Sequence, residues 1–175
     1  MQDRTGTESE GREMKLFQNL FGKGSGIELA APVAGKLVAI SEVNDPTFGE
    51  EILGKGVAVI PSDNRICAPA DGTVSTVFPT GHAAAITADS GAEILIHIGL
   101  DTVKLNGKHF TIHAKEGDKV KKGDLLLEAD IEQIKAEGYD VITPMVICNS
   151  DEFSKFEMAA SGDVSQGDVV LTIEK

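Results

Sequence analysis

Turn signals recur at short intervals from Ile27 to the end of the chain, and this spacing limits the fold more than any other feature. Clusters of Gly, Asp, Asn and Ser separate short runs rich in Val, Ile, Leu and Thr, which is the pattern of strands joined by tight turns. The turn clusters are residues 70–72, 89–91, 105–107, 121–124 and 165–168, and the strand-like runs are residues 36–40, 56–60, 73–78, 83–88, 93–98, 125–130, 145–148 and 169–173. Such spacing is typical of all-β sandwiches and barrels. We therefore expect an all-β fold, an antiparallel β-sandwich or barrel-like domain.

One or two short helices are expected within this β pattern. Asp130 can cap a helix over residues 131–137, with Gln133 three residues further on and Gly138 to end it. The segment 151–156 can add a second helical turn.

Two sequence repeats indicate internal similarity. APVAGKLV (residues 31–38) resembles APADGTVS (residues 68–75), and VKKGDLLLE (residues 120–128) resembles VSQGDVVLT (residues 164–172). Because each unit occurs only twice, the repeats favour two related β-layers facing each other over a solenoid.

The chain has 175 residues, enough for one domain that buries a core without disulfides or metal. Residues 1–13 are polar, and residues 14–21 place Met, Phe and Leu side chains on one side of a short helix. That segment fits contact with a membrane surface or a partner, and it also fits a linker remnant. We expect a disordered or amphipathic N-terminal segment and linker over residues 1–26 and a single β domain over residues 27–175.

The formal net charge of −12 disfavours binding to nucleic acid and favours partners with basic faces, although solubility alone also explains it. Cys67 and Cys148 lie far apart, without metal-binding or redox spacing, and indicate reduced thiols. The first dozen residues do not resemble a signal peptide, and no apolar stretch is long enough to span a membrane. We expect a cytoplasmic protein.

His82 and His97 are the strongest candidates for chemistry, because the turn at residues 89–91 lies between them. A two-residue loop formed by Asp89 and Ser90 would place the two histidines directly opposite each other on neighbouring strands. A loop centred on Ser90 and Gly91 would keep them on one face, and a three-residue loop would break this parity. Both lie among apolar or small residues. Two neutral imidazoles in an accessible apolar patch suit acceptance of a phosphoryl group from another protein.

Two other interpretations of His82 and His97 stay open. One histidine can be a core residue and the other a surface residue. Alternatively, His82, His97 and Asp101 can form a metal site of two histidines and one carboxylate, although no HExxH motif accompanies them. His109 and His113 lie in a polar stretch and are predicted to be solvated surface residues.

Several motifs resemble the glucose-family enzyme IIA of the bacterial sugar phosphotransferase system. GAEILIHIGLDTV (residues 91–103) resembles the phosphorylation-site signature of that family, and FPTGHA (residues 78–83) resembles the segment around its second histidine. Flanking motifs occur in the same order, namely GKGVAVIPSD, APADGTV, KLNGKHF, EGDKVKKGDLLLEAD and YDVITPMVICN. The resemblance extends from about Ile27 to Lys175 and implies an antiparallel β-sandwich.

The resemblance also implies roles for individual residues. His97 would accept phosphoryl on Nε2 from the histidine phosphocarrier protein and hand it to a cysteine of a sugar-specific IIB domain. His82 would steady the group in transfer, Thr80 would orient His82, and the Gly99 carbonyl would fix the tautomer of His97. The implied partner surface is an apolar depression with an acidic rim. It comprises Asp45, Phe48, Ile52, Leu53, Phe78, Ile96, Gly99 and Asp101.

Further implications concern partners and location. We expect a phosphotransferase component without independent turnover of a small molecule, needing no cofactor, with zinc at His82 and His97 at most adventitious or regulatory. It would be monomeric and peripheral to the inner face of the membrane through its permease, with regulatory proteins as further partners. The sugar is not indicated.

Two features depart from the family pattern. Ala85 and Leu95 stand where some relatives carry Phe, and position 81 is Gly where relatives carry polar residues.

Two alternative classes of protein remain for comparison. A biotinyl- or lipoyl-like carrier would need a modifiable Lys at a hairpin tip, which the sequence does not offer. A zinc peptidase on a similar duplicated β unit would need a third protein ligand.

Overall fold

The structure is a computed structural model and describes residues 26–175. Within these residues the chain forms fourteen strands, two short α-helices and three 3₁₀ turns. The strands are β1 Ile27–Ala30, β2 Gly35–Ala39, β3 Lys55–Pro61, β4 Arg65–Cys67, β5 Gly72–Val77, β6 Ala83–Ala88, β7 Glu93–His97, β8 Phe110–Ile112, β9 Lys119–Val120, β10 Leu125–Ala129, β11 Thr143–Ile147, β12 Lys155–Met158, β13 Gly162–Val164 and β14 Val169–Glu174. The helices are α1 Pro46–Gly49 and α2 Ile131–Ala136, and the 3₁₀ turns are Ile40–Glu42, Thr102–Leu105 and Ser150–Glu152. The all-β prediction is confirmed. The predicted N-terminal segment lies outside the described residues, apart from Gly26.

The strands form one large sheet and two small ones. The large sheet has eight strands in the order β13-β2-β3-β11-β7-β6-β5-β9, and the small sheets have the orders β1-β14-β12 and β4-β10-β8. All of the strand pairs are antiparallel. The eight-stranded sheet therefore has β7 and β11 at its centre, where their backbones pair from Ile94 to Ile96.

The two halves of this architecture correspond strand for strand. Strands β1, β2, β3, β11, β12, β13 and β14 occupy the same places in one half as β4, β5, β6, β7, β8, β9 and β10 in the other. Equivalent hydrogen bonds accompany the match: the Ala31 amide donates to the Asp168 carbonyl at 2.7 Å, and the Ala68 amide donates to the Asp124 carbonyl at 2.8 Å. The second half is thus inserted in sequence between β3 and β11 of the first.

This symmetry explains the sequence repeats but corrects the arrangement predicted from them. The repeat at residues 31–38 carries β2, and the repeat at residues 68–75 carries β5. Both strands lie in the same eight-stranded sheet, at equivalent positions on either side of its centre. The copies of this repeat are therefore related by symmetry within one sheet and are not two opposed layers, whereas the copies of the other repeat carry β10 and β14 and lie in the two small sheets.

Two apolar clusters stabilise the sheets. The larger joins the inner face of the eight-stranded sheet to the small sheets through buried residues such as Leu29, Ile96, Leu127 and Ile147. The smaller lies on the outer face of the large sheet and includes Val38, Ile40, Val43, Phe48, Ala58, Leu100, Ile142 and Val146. The connection between β2 and β3, which contains α1, covers this outer face and contributes Phe48.

The helix predicted after Asp130 is confirmed. The Asp130 carboxylate accepts a hydrogen bond from the Gln133 amide at 3.2 Å, and Gly138 follows the helix with a φ of +94°. The helical turn predicted for residues 151–156 is correct only at its start. A 3₁₀ turn ends at Glu152, after which Phe156 pairs with Ile173 of β14 and packs on the core as part of β12.

No helix within residues 26–175 has both the length and the apolar composition that crossing a membrane requires.

Replacing Ile147, which is fully buried, by alanine is expected to lower the free energy of unfolding by about 2–5 kcal/mol, because the deletion leaves a cavity between the sheets. The same substitution at Ile60, which is 41% exposed, should cost less than about 1 kcal/mol. Urea unfolding of the two variants measures the difference. Equal losses would contradict the packing described here.

Candidate functional site

The β6–β7 hairpin determines how His82 and His97 approach each other. Ala88 and Ala92 close the hairpin, the Ala88 amide donating to the Ala92 carbonyl at 2.9 Å, so residues 89–91 form a three-residue loop. Ala83, not His82, lies opposite His97. Of the three loops considered from the sequence, the three-residue loop is the one found, so the two histidines are not directly opposed.

The two imidazole rings nevertheless meet. Their centroids are 5.1 Å apart and their planes are inclined by 80°. His82 precedes the first residue of β6, and Gly81 before it has a φ of +73°. The His82 carbonyl accepts a hydrogen bond from the Ile98 amide at 2.7 Å, and the His82 ring lies against that of His97.

A backbone carbonyl determines which nitrogen of His97 is free. His97 Nδ1 lies 2.7 Å from the Gly99 carbonyl oxygen, which can only accept a hydrogen bond. Nδ1 must therefore carry the proton in the neutral ring, and Nε2 keeps its lone pair. His97 is half-buried at the end of β7.

A threonine hydroxyl holds the second histidine. Thr80 Oγ1 lies 2.5 Å from His82 Nδ1, and the Phe78 ring contacts the His82 ring edge-on, with centroids 5.2 Å apart. His82 is 5% exposed. When the hydroxyl donates this hydrogen bond, Nε2 of His82 carries a proton and can donate to an anionic group beside His97.

Burial keeps both histidines neutral near pH 7. It lowers the pKa of His97, and the bond to Gly99 and the carboxylates of Asp45 and Asp101 oppose the shift only in part. Burial also lowers the pKa of His82, and a positive charge on His97 lowers it further. A neutral imidazole beside a second neutral imidazole has the protonation state that nucleophilic attack requires.

Helix α1 supports His97 from the outer side of the sheet. Asp45 caps this helix, its carboxylate accepting a hydrogen bond from the Thr47 amide at 3.0 Å. The Phe48 ring then lies with its centroid 5.0 Å from that of His97. The sequence pattern gave no sign of α1, because four residues are too few for a helical period.

The structure divides the predicted partner surface into exposed and buried residues. Ile52, Leu53 and Phe78 are 68%, 39% and 39% exposed, and Asp101 is also exposed. Phe48 is 4% exposed and supports His97 instead of facing a partner. Ile96 is fully buried in the larger cluster, because alternate residues of β7 face opposite sides of the sheet. Its prediction as a surface residue is wrong.

Val103 is an exposed apolar residue that the sequence reasoning missed. It is 49% exposed and lies two residues after Asp101. Val103 ends the motif GAEILIHIGLDTV (residues 91–103), close to Asp101 of the predicted acidic rim. This position in the motif could have identified Val103 from the sequence.

The structure also bears on the alternative metal site and on the surface positions predicted for His109 and His113. Within residues 26–175, no three His, Cys, Asp or Glu side chains are arranged to hold a metal ion, so His82, His97 and Asp101 do not form a three-ligand site. His113 is exposed and pairs with Glu128 at 2.9 Å. The His109 side chain is only 14% exposed and pairs with Glu137 at 2.6 Å, so the expectation of a solvated residue fails for His109.

Comparison with known proteins identifies the family. The family model described as "phosphoenolpyruvate-dependent sugar phosphotransferase system, EIIA 1" matches residues 27–153. The chain is 44% identical over 145 residues to a glucose-specific EIIA component of Halalkalibacterium halodurans, covering 83% of this chain and 84% of the relative. It is 42% identical to the glucose-specific EIIA component of Haemophilus influenzae, covering 93% of this chain and all of the relative.

A longer relative and a solved structure agree with this match. The β-glucoside-specific EIIBCA component of Bacillus subtilis is 48% identical over 86% of this chain, but the chain spans only 25% of that relative. The glucose permease IIA of Mycoplasma capricolum has a TM-score of 0.80 and 36% identity, covering 85% of this chain and 96% of that one. This chain belongs to the EIIA 1 family of the phosphoenolpyruvate-dependent sugar phosphotransferase system.

The lowered pKa values of the two histidines predict a specific pH dependence. In an NMR titration, His97 and His82 should both titrate below the ordinary histidine pKa of about 6.5. Between the folded-state and unfolded-state pKa values the unfolded chain binds more protons. Stability should therefore rise with pH through that window and be lost as the pH falls. Titration of either ring above the ordinary value would contradict the burial described for the site.

Proposed function

We propose that His97 accepts a phosphoryl group on Nε2 from the histidine phosphocarrier protein and transfers it to a cysteine of a sugar-specific IIB domain. The observation that carries the proposal is the hydrogen bond from His97 Nδ1 to the Gly99 carbonyl, which leaves Nε2 unprotonated beside His82. In the first transfer the phosphorus–nitrogen bond of the donor phosphohistidine breaks as a bond to Nε2 of His97 forms. In the second, that bond breaks as a phosphorus–sulfur bond forms.

His82 and Thr80 have supporting roles in this proposal. Phosphoryl transfer has a loose transition state, so catalysis depends on positioning and on stabilising charge on the phosphoryl oxygens. His82 lies beside His97 with ring centroids 5.1 Å apart, within reach of a group on Nε2. With Thr80 donating to Nδ1, the proton on His82 Nε2 is directed to those oxygens.

The surroundings of the histidines suit a protein partner. Exposed apolar side chains of Ile52, Leu53, Phe78 and Val103 lie close in sequence to the site segments, and Asp45 and Asp101 add negative charge that acts on His97. A partner with a matching apolar patch and basic rim would exclude water from the phosphoryl group and be attracted by the acidic side chains. One surface would serve both donor and acceptor, which requires weak, fast complexes.

The names of relatives suggest the acceptor. Components named EIIBCA and EIICBA carry B and C parts together with an A part. We infer that a IIB domain is the acceptor here and that the protein works as a monomer on the cytoplasmic side of the membrane, held near it by the permease. The names of the relatives include both β-glucoside and glucose, so the proposal does not assign the sugar.

Substitution of the two histidines should separate acceptance from onward transfer. We expect His97→Gln to abolish the acid-labile phosphoryl adduct formed with phosphoenolpyruvate, enzyme I and histidine phosphocarrier protein, because the accepting nitrogen is lost. We expect His82→Gln to form the adduct but to slow its transfer to a IIB domain by about tenfold or more, as loss of a transition-state hydrogen bond does. Intact-mass analysis over time measures both steps. Full phosphorylation of His97→Gln would overturn the assignment.

A charge placed in the apolar surface should slow transfer without unfolding the protein. Ile52 is 68% exposed, so Ile52→Glu should leave the melting temperature unchanged. It should slow phosphorylation by the carrier by about tenfold, which corresponds to the loss of one interface contact. The matched control is Ile60→Glu, at an isoleucine of β3 that is 41% exposed. Equal effects of the two substitutions would contradict the proposed surface.

A further inference from the structure

The peptide group between Gly99 and Leu100 is held at both of its polar ends. Its carbonyl oxygen accepts the hydrogen bond from His97 Nδ1 at 2.7 Å, and its N–H donates to the backbone carbonyl of Asp140 at 2.9 Å. In a planar trans peptide the C=O and N–H groups point in opposite directions. The bond to Asp140 therefore sets the direction of the carbonyl that selects the tautomer of His97.

The preceding peptide group, between Ile98 and Gly99, is also held at both ends. Its N–H donates to the Ile142 carbonyl at 3.1 Å, and its carbonyl accepts a hydrogen bond from Thr102 Oγ1 at 2.5 Å. Thr102 is fully buried. The two peptides that flank the Gly99 Cα are thus both fixed by residues outside β7.

Close packing around Gly99 adds to these hydrogen bonds. Gly99 has a φ of +78°, and a Cβ added there would lie 2.7 Å from Thr102 Cγ2 and 2.8 Å from the Asp140 carbonyl oxygen. Only glycine fits this space and this conformation. Thr102 and Asp140 therefore pack closely around Gly99, in addition to their hydrogen bonds with the neighbouring Ile98 and Leu100 backbone groups.

The Asp140 side chain organises the segment that provides the two acceptor carbonyls. Its carboxylate accepts a hydrogen bond from the Ile142 amide at 2.9 Å, which is the Asx-turn arrangement. This turn fixes the backbone from Asp140 to Ile142, whose carbonyls bind the Leu100 and Gly99 amides. The Asp140 side chain itself is exposed, and the residue acts on the site through its backbone.

We propose that Asp140 and Thr102 are positioning residues for the phosphoryl acceptor. They orient the Gly99–Leu100 peptide so that His97 keeps its proton on Nδ1 and offers Nε2. This inference rests on the proposed function of His97. A continuous chain of hydrogen bonds runs from the Asp140 carbonyl through the Leu100 N–H and the Gly99 carbonyl to His97 Nδ1. Bonds in such a chain polarise and strengthen one another.

Two matched pairs of substitutions test the proposal in the full chain. Asp140→Ala removes the carboxylate that forms the turn, whereas Asp140→Asn keeps an acceptor oxygen and removes only the charge. Thr102→Val removes the hydroxyl and keeps the shape, whereas Thr102→Ser keeps the hydroxyl. Because the Asp140 side chain is exposed, the first pair stays informative if Thr102→Val does not fold.

The first readout is the tautomer of His97 in the unphosphorylated protein, measured by ¹⁵N NMR of the imidazole nitrogens at pH 7.5, and it does not depend on transfer. We expect Asp140→Ala and Thr102→Val to raise the population with the proton on Nε2 severalfold, and Asp140→Asn and Thr102→Ser to match the unsubstituted protein. The second readout is the rate of phosphorylation by the carrier, which should fall by about fivefold or more only in the first two variants, in line with loss of one positioning hydrogen bond.

A wild-type tautomer in folded Asp140→Ala would overturn the proposal, and so would a slower rate without a change of tautomer. A changed tautomer in a protein whose phosphoryl group is found on a residue other than His97 would sustain the positioning role and overturn the proposed function instead.

Discussion

The hydrogen bond from His97 Nδ1 to the Gly99 carbonyl is the interaction on which the chemistry of this site depends. It is 2.7 Å long and joins two residues that are two positions apart, and the backbone bends directly after β7 at residues 99–101. This bend contains a left-handed glycine and a left-handed aspartate, with φ values of +78° at Gly99 and +61° at Asp101. Without this turn the neutral ring would be free to place its proton on either nitrogen.

The two related halves of the fold contribute differently to the site. The half containing β6 and β7 supplies both histidines, whereas β11, the counterpart of β7, consists of Thr-Pro-Met-Val-Ile and has no titratable side chain. The other half supplies the cover, because the β2–β3 connection brings Phe48 against the His97 ring. Burial by this cover lowers the pKa of His97. A symmetric scaffold thus carries one asymmetric site.

The sequence predicted the elements that repeat a simple pattern and missed those that depend on tertiary contacts. Turn spacing located most of the eight-stranded sheet, and the Asp130 cap located α2. The hairpin between the histidines has a three-residue loop, which the tripeptide Asp-Ser-Gly does not distinguish from a two-residue one. Ile96 was assigned to the wrong side of β7. Asp140 gave no sequence signal, because its carboxylate is expected to act on the site only indirectly, by fixing the backbone carbonyls that bind the Leu100 and Gly99 amides.

The most direct test of the central claim is the position of the phosphoryl group on the His97 ring. The phosphorylated protein, labelled with ¹⁵N, would be examined by long-range ¹H–¹⁵N NMR to identify the substituted nitrogen. We expect phosphorus on Nε2 of His97, with the proton retained on Nδ1. A phosphoryl group on Nδ1 would contradict it, because that nitrogen would have to give up the hydrogen bond to Gly99 before it could react.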